Sequence, residues 1–392
     1  MTEQKYEKRG VSASKEEIHK AIATMDKGLY PYAFCKILPD IACGSDDFVN
    51  IMHADTAGTK SALAYIYWKE TGDLGVWQDI VHDAIVMNVD DMACTGVTGN
   101  ILISSTIGRN KHIITADVIS RLIKAPEIFI NKMKEFDIDI FLSGGETADV
   151  GDIVRTVDVG ITAFARIKKE DLIINNIQDK DVIVGLASSG KAVYEEKYNS
   201  GIGSNGLSSA RHDIFNKRYR EKYPESFSHQ TDLEYIYSGS KLLTDKIEAG
   251  DGIMDLGRFV LSPTRTYLPV LKEIFKIHRK NINGIIHCTG GGQTKVMKFV
   301  KNKKIIKDKL FPVPKLFELI QSESNTPWKE MYQVFNMGHR LEIYLPEKYA
   351  DEVISIAKSF NVDAKIIGKV EDFTENQLTI ISPYGEFVYR DI

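Results

Sequence analysis

Several short apolar segments in this sequence end directly in a glycine-containing turn, and this arrangement restricts the possible folds more than any other feature. The four clearest junctions are Val49–Ala54 before Asp55–Lys60, Ile138–Leu142 before Gly144–Glu146, Val182–Leu186 before Ser188–Gly190, and Gly284–His287 before Thr289–Gly292. Short apolar runs bounded by glycine are typical of buried strands, and segments of helical periodicity lie between them. The pattern predicts an α/β (α+β) chain.

Helical spacing of apolar residues predicts the intervening helices. They are expected at Ser14–Met25, at Trp77–Cys94, and at Ala116–Phe136 with a bend or break near Pro126. In the second of these helices, Asp83 and Asp90 are seven residues apart and therefore share one face. A charged and polar run at 168–180 marks the expected boundary between two domains, 1–170 and 180–392.

Charge and composition exclude several classes of protein. The net charge of −4 and the pI near 6.2 argue against nucleic acid as a principal partner, although a local site for a small anion remains possible. The first ten residues lack the apolar core of a secretory signal, and no apolar run approaches 18 residues. We therefore expect a cytoplasmic protein that has no membrane partner.

Acidic residues follow several of the predicted strands and helices. Asp55, Asp90, Asp91, Glu146 and Asp149 occupy such positions. If the fold brings their carboxylates together, they would select Mg²⁺, which prefers oxygen ligands. The alternative is that they are helix caps and solvated turn residues.

The glycine turns suggest phosphate binding, because successive backbone N–H groups at a helix start can surround a phosphate. Thr289–Gly292 and Gly203–Gly206 fit this description, but neither has Walker A spacing, and a purely structural role is equally open. Lys60 and Arg265 are candidate phosphate partners or ordinary surface charges. His287 could transfer a proton at neutral pH or could be a structural histidine.

Taken in order, the motifs resemble those of the aminoimidazole ribonucleotide synthetase (phosphoribosylformylglycinamidine cyclo-ligase) family. The matching segments are Asp55–Lys60, Val89–Asp91, Gly144–Asp149, Ser188–Gly190, Ser204–Gly206, Pro263–Tyr267, His287–Gly292 and Met331–Gly338. The resemblance implies a two-domain fold in which the N-terminal domain contributes strands to a β-barrel across a homodimer, next to a larger C-terminal α/β domain.

The resemblance also implies an activity, the ATP-dependent closure of formylglycinamidine ribonucleotide to aminoimidazole ribonucleotide in purine synthesis, with Mg²⁺. It assigns catalysis to His287, Asp55 and Lys60. It assigns ATP binding to Asp55, Gly58, Thr59, Lys60, Asp91, Gly144, Gly145, Glu146 and Thr147, and Mg²⁺ to Asp55, Asp90, Asp91 and Glu146. It assigns the ribonucleotide to Ser188, Ser189, Gly190, Ser204, Asn205, Gly206, Arg265, Thr289, Gly290, Gly291 and Gly292.

The sequence departs from this family at several places. The family's glycine-rich flap is replaced by Gly28–Phe34, and its Asp-x-Asp by Ser12–Ser14. Gly203 stands where the family has histidine, Asp90 stands where it has asparagine, an insertion occupies 191–202, and His339–Glu342 replace small residues. Another ATP-dependent kinase or ligase of the same superfamily, or a non-catalytic nucleotide-binding protein, is therefore the alternative.

Overall fold

The structure, a computed structural model, describes residues 9–10, 21, 24–250 and 252–390. The predicted helix at Ser14–Met25 and the Ser12–Ser14 departure lie almost entirely outside the described residues. In the described part of the chain, no helix combines the length and the apolar character needed to cross a membrane.

The N-terminal half forms a five-stranded sheet with the order β1-β2-β5-β3-β4. Its strands are β1 (Ile37–Pro39), β2 (Phe48–Thr56), β3 (Ile101–Arg109), β4 (Ile140–Asp149) and β5 (Val157–Lys168). Its helices are α1 (Lys60–Thr71), α2 (Gly75–Ala93) and α3 (Ala116–Lys134). Helix α3 continues through Pro126, where a bend or break was predicted. Its buried face, which includes Leu122 and Phe129, keeps the helix packed despite the lost N–H donor.

The outer face of this sheet carries a row of apolar side chains. Met52 pairs with Phe164, Phe164 with Leu102, and Leu102 with Phe141, so the four residues lie side by side across β2, β5, β3 and β4. Met52, Leu102 and Phe141 are 62%, 45% and 51% exposed. We call these four residues the apolar row.

The C-terminal half forms a seven-stranded sheet with the order β14-β13-β10-β12-β6-β11-β9. Its strands are β6 (Asp181–Ala187), β9 (Gly284–His287), β10 (Lys303–Lys307), β11 (His339–Pro346), β12 (Ala364–Asp372), β13 (Gln377–Ser382) and β14 (Gly385–Arg390), and β7 (Lys246–Ala249) pairs with β8 (Gly252–Asp255) separately. Its helices are α4 (Leu207–Ile214), α5 (Arg218–Lys222), α6 (Leu256–Val260), α7 (Leu268–His278), α8 (Lys315–Ser324), α9 (Trp328–Val334) and α10 (Ala350–Ser359). The central strand β6 pairs antiparallel with both β11 and β12.

Helix α2 connects the two halves through buried carboxylates. Asp83 and Asp90 are both fully buried. Asp83 Oδ1 accepts hydrogen bonds from the backbone N (2.7 Å) and the hydroxyl of Thr264. Asp90 accepts hydrogen bonds from the Thr266 hydroxyl (2.6 Å) and from the Tyr267 backbone N (2.9 Å). The segment Ser262–Tyr267 is therefore fixed to the N-terminal half.

We predict that Asp90→Asn lowers the free energy of unfolding by about 2 kcal/mol, because one of its two buried hydrogen-bond donors loses its acceptor. Urea denaturation followed by circular dichroism measures the change. Glu127→Ala, which changes an exposed acid on α3, should alter stability by less than about 0.5 kcal/mol. Equal effects of the two substitutions would contradict the proposed role of Asp90.

Candidate active site

The structure brings the predicted substrate loops of the C-terminal half together around Asn336. The Ser188 hydroxyl donates a hydrogen bond to Asn336 Oδ1 (2.8 Å), and Asn336 Nδ2 donates to the carbonyl of Gly201 (2.7 Å). A Cβ atom added at Gly290 would lie 3.9 Å from Asn205 Oδ1, which places the Thr289–Gly292 turn beside the Gly203–Gly206 turn. The three glycine turns thus share one location.

The triple glycine leads into the 3-10 helix Gly292–Lys298. Gly290, Gly291 and Gly292 all have positive φ, a conformation that glycine adopts without strain. Gly206 also has positive φ, and a Cβ atom there would overlap the ring of Phe335. The backbone in these turns therefore depends on glycine.

His287 lies between Asp91 and Arg340 in the interior. Its Nδ1 is 2.7 Å from Asp91 Oδ1, and its Nε2 accepts a hydrogen bond from Arg340 Nε (3.1 Å). Since Arg340 is always a donor, the proton of a neutral His287 is on Nδ1 and is donated to Asp91. Burial, the largest single influence, raises the pKa of Asp91, but the bond with His287 and the nearby positive charges of the histidines and Lys295 together lower that pKa. Both nitrogens of His287 are therefore already in use.

A second histidine, which sequence reasoning missed, contacts the other oxygen of Asp91. His53 Nε2 lies 3.4 Å from Asp91 Oδ2, and His53 Nδ1 lies 2.9 Å from Asn88 Oδ1. Asn88 Nδ2 in turn donates a long hydrogen bond (3.4 Å) to the carbonyl of Asp55. His53 stands two residues before Asp55 on β2, and this proximity to the predicted acidic motif is the one signal that could have identified it.

The ammonium group of Lys60 is directed into the interior. Its Nζ lies 2.9 and 2.8 Å from the two oxygens of Asp83, and it also donates to the carbonyls of Gly203 (3.2 Å) and Ser262 (2.6 Å). Lys60 is fully buried, and burial lowers its pKa although Asp83 opposes the shift. In this arrangement Lys60 neutralises Asp83 and holds the Gly203 turn through a hydrogen bond to its carbonyl.

Arg265 is also neutralised within the protein. Its Nε and Nη2 donate to the two carboxylate oxygens of Glu195, at 3.0 and 2.5 Å, and its Nη1 donates to the carbonyls of Ala187 and Ser189. Burial opposes the charge on Arg265, but Glu195 outweighs it and raises the pKa of Arg265. Glu195 belongs to the 191–202 insertion, where no sequence signal indicated a partner.

The predicted ATP-binding residues of the N-terminal half lie on the sheet and at the start of α1. Gly58, Thr59, Gly144, Gly145, Glu146 and Thr147 are exposed, and Asp55 is partly exposed. Gly144–Glu146, predicted as a turn after a strand, continue β4 beyond a register shift in its pairing with β3. Because β5 and β3 separate β2 from β4, Asp55 and Glu146 are roughly 14 Å apart within one chain.

The four carboxylates predicted to bind Mg²⁺ thus do not all meet at one place within the chain. Asp90 binds Thr266 and Tyr267, Asp91 lies between two histidines, and Glu146 is across the sheet from Asp55. Among the described residues, one cluster has metal-ligating atoms close together, formed by Cys288, His339 and Glu342. Lys307 forms an ion pair with Glu342 there, so an ammonium group already neutralises this cluster.

The C-terminal domain of the AIR synthase related proteins matches residues 178–381, more than half of the chain, and the N-terminal domain of the same family matches residues 40–167. The chain belongs to the AIR synthase related protein family. It has the two domains of that family, built as mixed sheets packed with helices.

Relatives of known name support this assignment along most of the chain. A phosphoribosylformylglycinamidine cyclo-ligase of Methanococcus maripaludis is 30% identical over 331 residues, which are 84% of this chain and 80% of that protein. The protein of that name from Staphylococcus carnosus is 28% identical over 341 residues, 85% of this chain and 83% of its own length.

Solved structures show the same fold. The HypE-HypF complex gives a TM-score of 0.54 at 14% identity over 97% of this chain and 99% of that chain. PurLQS from Thermotoga maritima gives 0.51 at 10% identity over 98% of this chain and 52% of that chain. These likenesses place the chain among proteins of the AIR synthase fold.

We predict that Asp83→Leu lowers the free energy of unfolding by about 3–5 kcal/mol, because it leaves the Lys60 ammonium buried without its carboxylate. The double variant Lys60→Met with Asp83→Leu should recover much of this loss, which urea denaturation can measure. If Lys60→Met instead leaves stability unchanged and abolishes ATP binding, the ammonium acts on the nucleotide and its assignment to packing is wrong.

Proposed function

We propose that the protein catalyses the ATP-dependent cyclisation of formylglycinamidine ribonucleotide to aminoimidazole ribonucleotide. The observation that carries the proposal is the 30% identity over 331 residues to a protein named for this reaction, which covers 84% of this chain. The convergence of the Ser188–Gly190, Gly203–Gly206 and Thr289–Gly292 turns supports it, since glycine turns can surround a phosphorylated substrate.

The proposed reaction has two steps. The γ-phosphoryl group of ATP moves to the amide oxygen of the substrate, which releases ADP and leaves an iminophosphate. The substrate amine then attacks the same carbon, the ring C–N bond forms, and the C–O bond to phosphate breaks to release inorganic phosphate. Reactions of this kind depend mainly on positioning and on neutralising negative charge.

The chain's own residues would contribute mainly by positioning. The glycine turns would hold the ribonucleotide, and Asn336 would keep them together through its bonds to Ser188 and Gly201. His287, whose two ring nitrogens are engaged by Asp91 and Arg340, serves in this proposal as a positioning residue for Arg340. Exposed Gly58, Thr59 and Thr147 remain available to ATP.

The predicted magnesium ligands of a single chain do not fit one Mg²⁺ ion, because Asp55 and Glu146 are separated by two strands and Asp90 is fully used inside the protein. The proposed reaction therefore gives no role to a Mg²⁺ ion held by these four residues of one chain.

The direct test is a cyclisation assay. We expect purified protein to convert formylglycinamidine ribonucleotide and ATP into aminoimidazole ribonucleotide, ADP and phosphate in equal amounts. Chromatography measures the nucleotides, and a phosphate-release assay measures the phosphate. ATP without the ribonucleotide, and the ribonucleotide without ATP, serve as controls. Phosphate release stimulated instead by another amine or amide would assign the chain to a different reaction of its superfamily, and nucleotide binding without hydrolysis would make it non-catalytic.

We also propose a homodimer that covers the apolar row of the N-terminal sheet. A second copy would bury Met52, Leu102 and Phe141, which are exposed in one chain, and at roughly 25 cal/mol per Å² such burial favours association. The row crosses four strands in register, as expected for strands that pack against those of a partner.

Phe141→Asp should convert the dimer into a monomer in sedimentation velocity, because it places a charge in the apolar row that the partner would bury. Its thermal unfolding should remain within a few degrees of the unchanged protein, since the side chain is exposed in one chain. Ile153→Asp, at a residue that is 82% exposed and outside the apolar row, is the matched control and should stay dimeric. A monomeric unchanged protein would contradict the proposed dimer.

A further inference from the structure

Arg340 is a buried guanidinium that has no carboxylate partner among the described residues. It is 2% exposed. Its Nε donates to His287 Nε2 (3.1 Å), its Nη2 donates to the backbone carbonyl of Arg265, and its guanidinium carbon lies 5.6 Å from the centre of the Tyr267 ring. None of these partners carries a negative charge. Buried charges in proteins are normally paired, because an isolated one strongly destabilises the fold.

One nitrogen of Arg340 has no hydrogen-bond partner in the described part of the chain. This nitrogen is Nη1, which is buried. It faces Gly203, where an added Cβ atom would lie only 2.9 Å away. Gly203 therefore provides the space that the guanidinium occupies, and a side chain at this position would press against Nη1.

Neighbouring charges do not neutralise Arg340 directly. Lys60, which donates to the Gly203 carbonyl, is a second cation at the same turn, but Asp83 already neutralises it. Arg340 contacts His287, which stands between it and Asp91. The Asp90 carboxylate is bound to Thr266 and Tyr267. The positive charge at the Gly203 turn is thus left without an anion in contact.

Arg265, expected from the resemblance to meet the substrate, forms a two-point ion pair with Glu195. Arg340 lies beside the same glycine turns and, unlike Arg265, has no carboxylate partner among the described residues. The turn above it can admit a ligand, because Ser204 and Asn205 are partly exposed and Gly203 and Gly206 have positive φ.

We propose that Arg340 Nη1 binds an anionic oxygen of a phosphate group held at the Gly203–Gly206 turn. The identity of the substrate that carries this phosphate rests on the proposed function. The site itself rests on the unpartnered, buried Nη1 and on the space left by Gly203. His287 and Asp91 then act behind Arg340 and hold its plane in place.

The test is calorimetric titration of the complete protein without ATP, so that no turnover occurs. The probes are inorganic phosphate and formylglycinamidine ribonucleotide. We expect Arg340→Gln to weaken both at least about tenfold, since a hydrogen bond to a charged group is lost, and Arg340→Lys to give an intermediate loss. Lys358→Gln, which removes the same charge from an exposed position on α10, should bind like the unchanged protein.

A second variant tests the site without removing Arg340, in case substitution of this buried residue prevents folding. Gly203→Ala keeps Arg340 but places a methyl group against Nη1, and we expect it also to weaken phosphate binding about tenfold. Melting temperatures without phosphate identify any variant that fails to fold. In steady-state assays, Arg340→Lys should raise KM for the ribonucleotide and leave KM for ATP unchanged.

Unchanged phosphate affinity in folded Arg340→Lys and Gly203→Ala would overturn the proposal. An unmodified protein that binds neither probe would overturn it as well. Phosphate binding that depends on Arg340 in a protein without cyclisation activity would uphold the anion site and refute the proposed reaction, so the two failures can be told apart.

Discussion

The burial of three carboxylates on helix α2 is the constraint on which the rest of the structure depends. Asp83, Asp90 and Asp91 lie in an interior where unpaired charge is costly, and each receives its partners from another segment. Asp83 is met by Lys60 and Thr264, Asp90 by Thr266 and Tyr267, and Asp91 by His53 and His287. Satisfying these groups aligns the two sheets and places the glycine turns next to Arg340.

Much of the fold could be predicted from local patterns. The strands β2, β6 and β9 and helix α2 were expected within two or three residues of their observed bounds, because apolar periodicity and glycine turns are local signals. The antiparallel pairing of β6 was not accessible, since the choice of neighbouring strands depends on contacts between distant parts of the chain. Pro126 does not break helix α3, because packing of the buried face of α3 outweighs the local penalty.

The candidate site was predicted less well than the fold. The resemblance assigned the glycine turns to one ligand, and the structure places these turns side by side, but the sequence did not indicate what each charge contacts. Lys60 and Arg265 were interpreted as phosphate partners, whereas the structure pairs them with Asp83 and Glu195. These pairs join residues 23 and 70 positions apart, and no local spacing predicts such a choice. Arg340 could be noticed only as a departure from the family pattern.

The attachment of Ser262–Tyr267 to α2 has a kinetic consequence. To separate the two sheets like the halves of a hinge, the protein would have to expose Asp83 and Asp90 and break at least four buried hydrogen bonds at once. The same segment also contacts the Gly203–Gly206 turn, since the Ser204 hydroxyl lies 3.4 Å from that of Thr264 and Lys60 donates to both the Gly203 and Ser262 carbonyls. A cost of this size at the joint between the halves opposes their separation, so we expect the two sheets to move as one unit while a ligand binds and leaves.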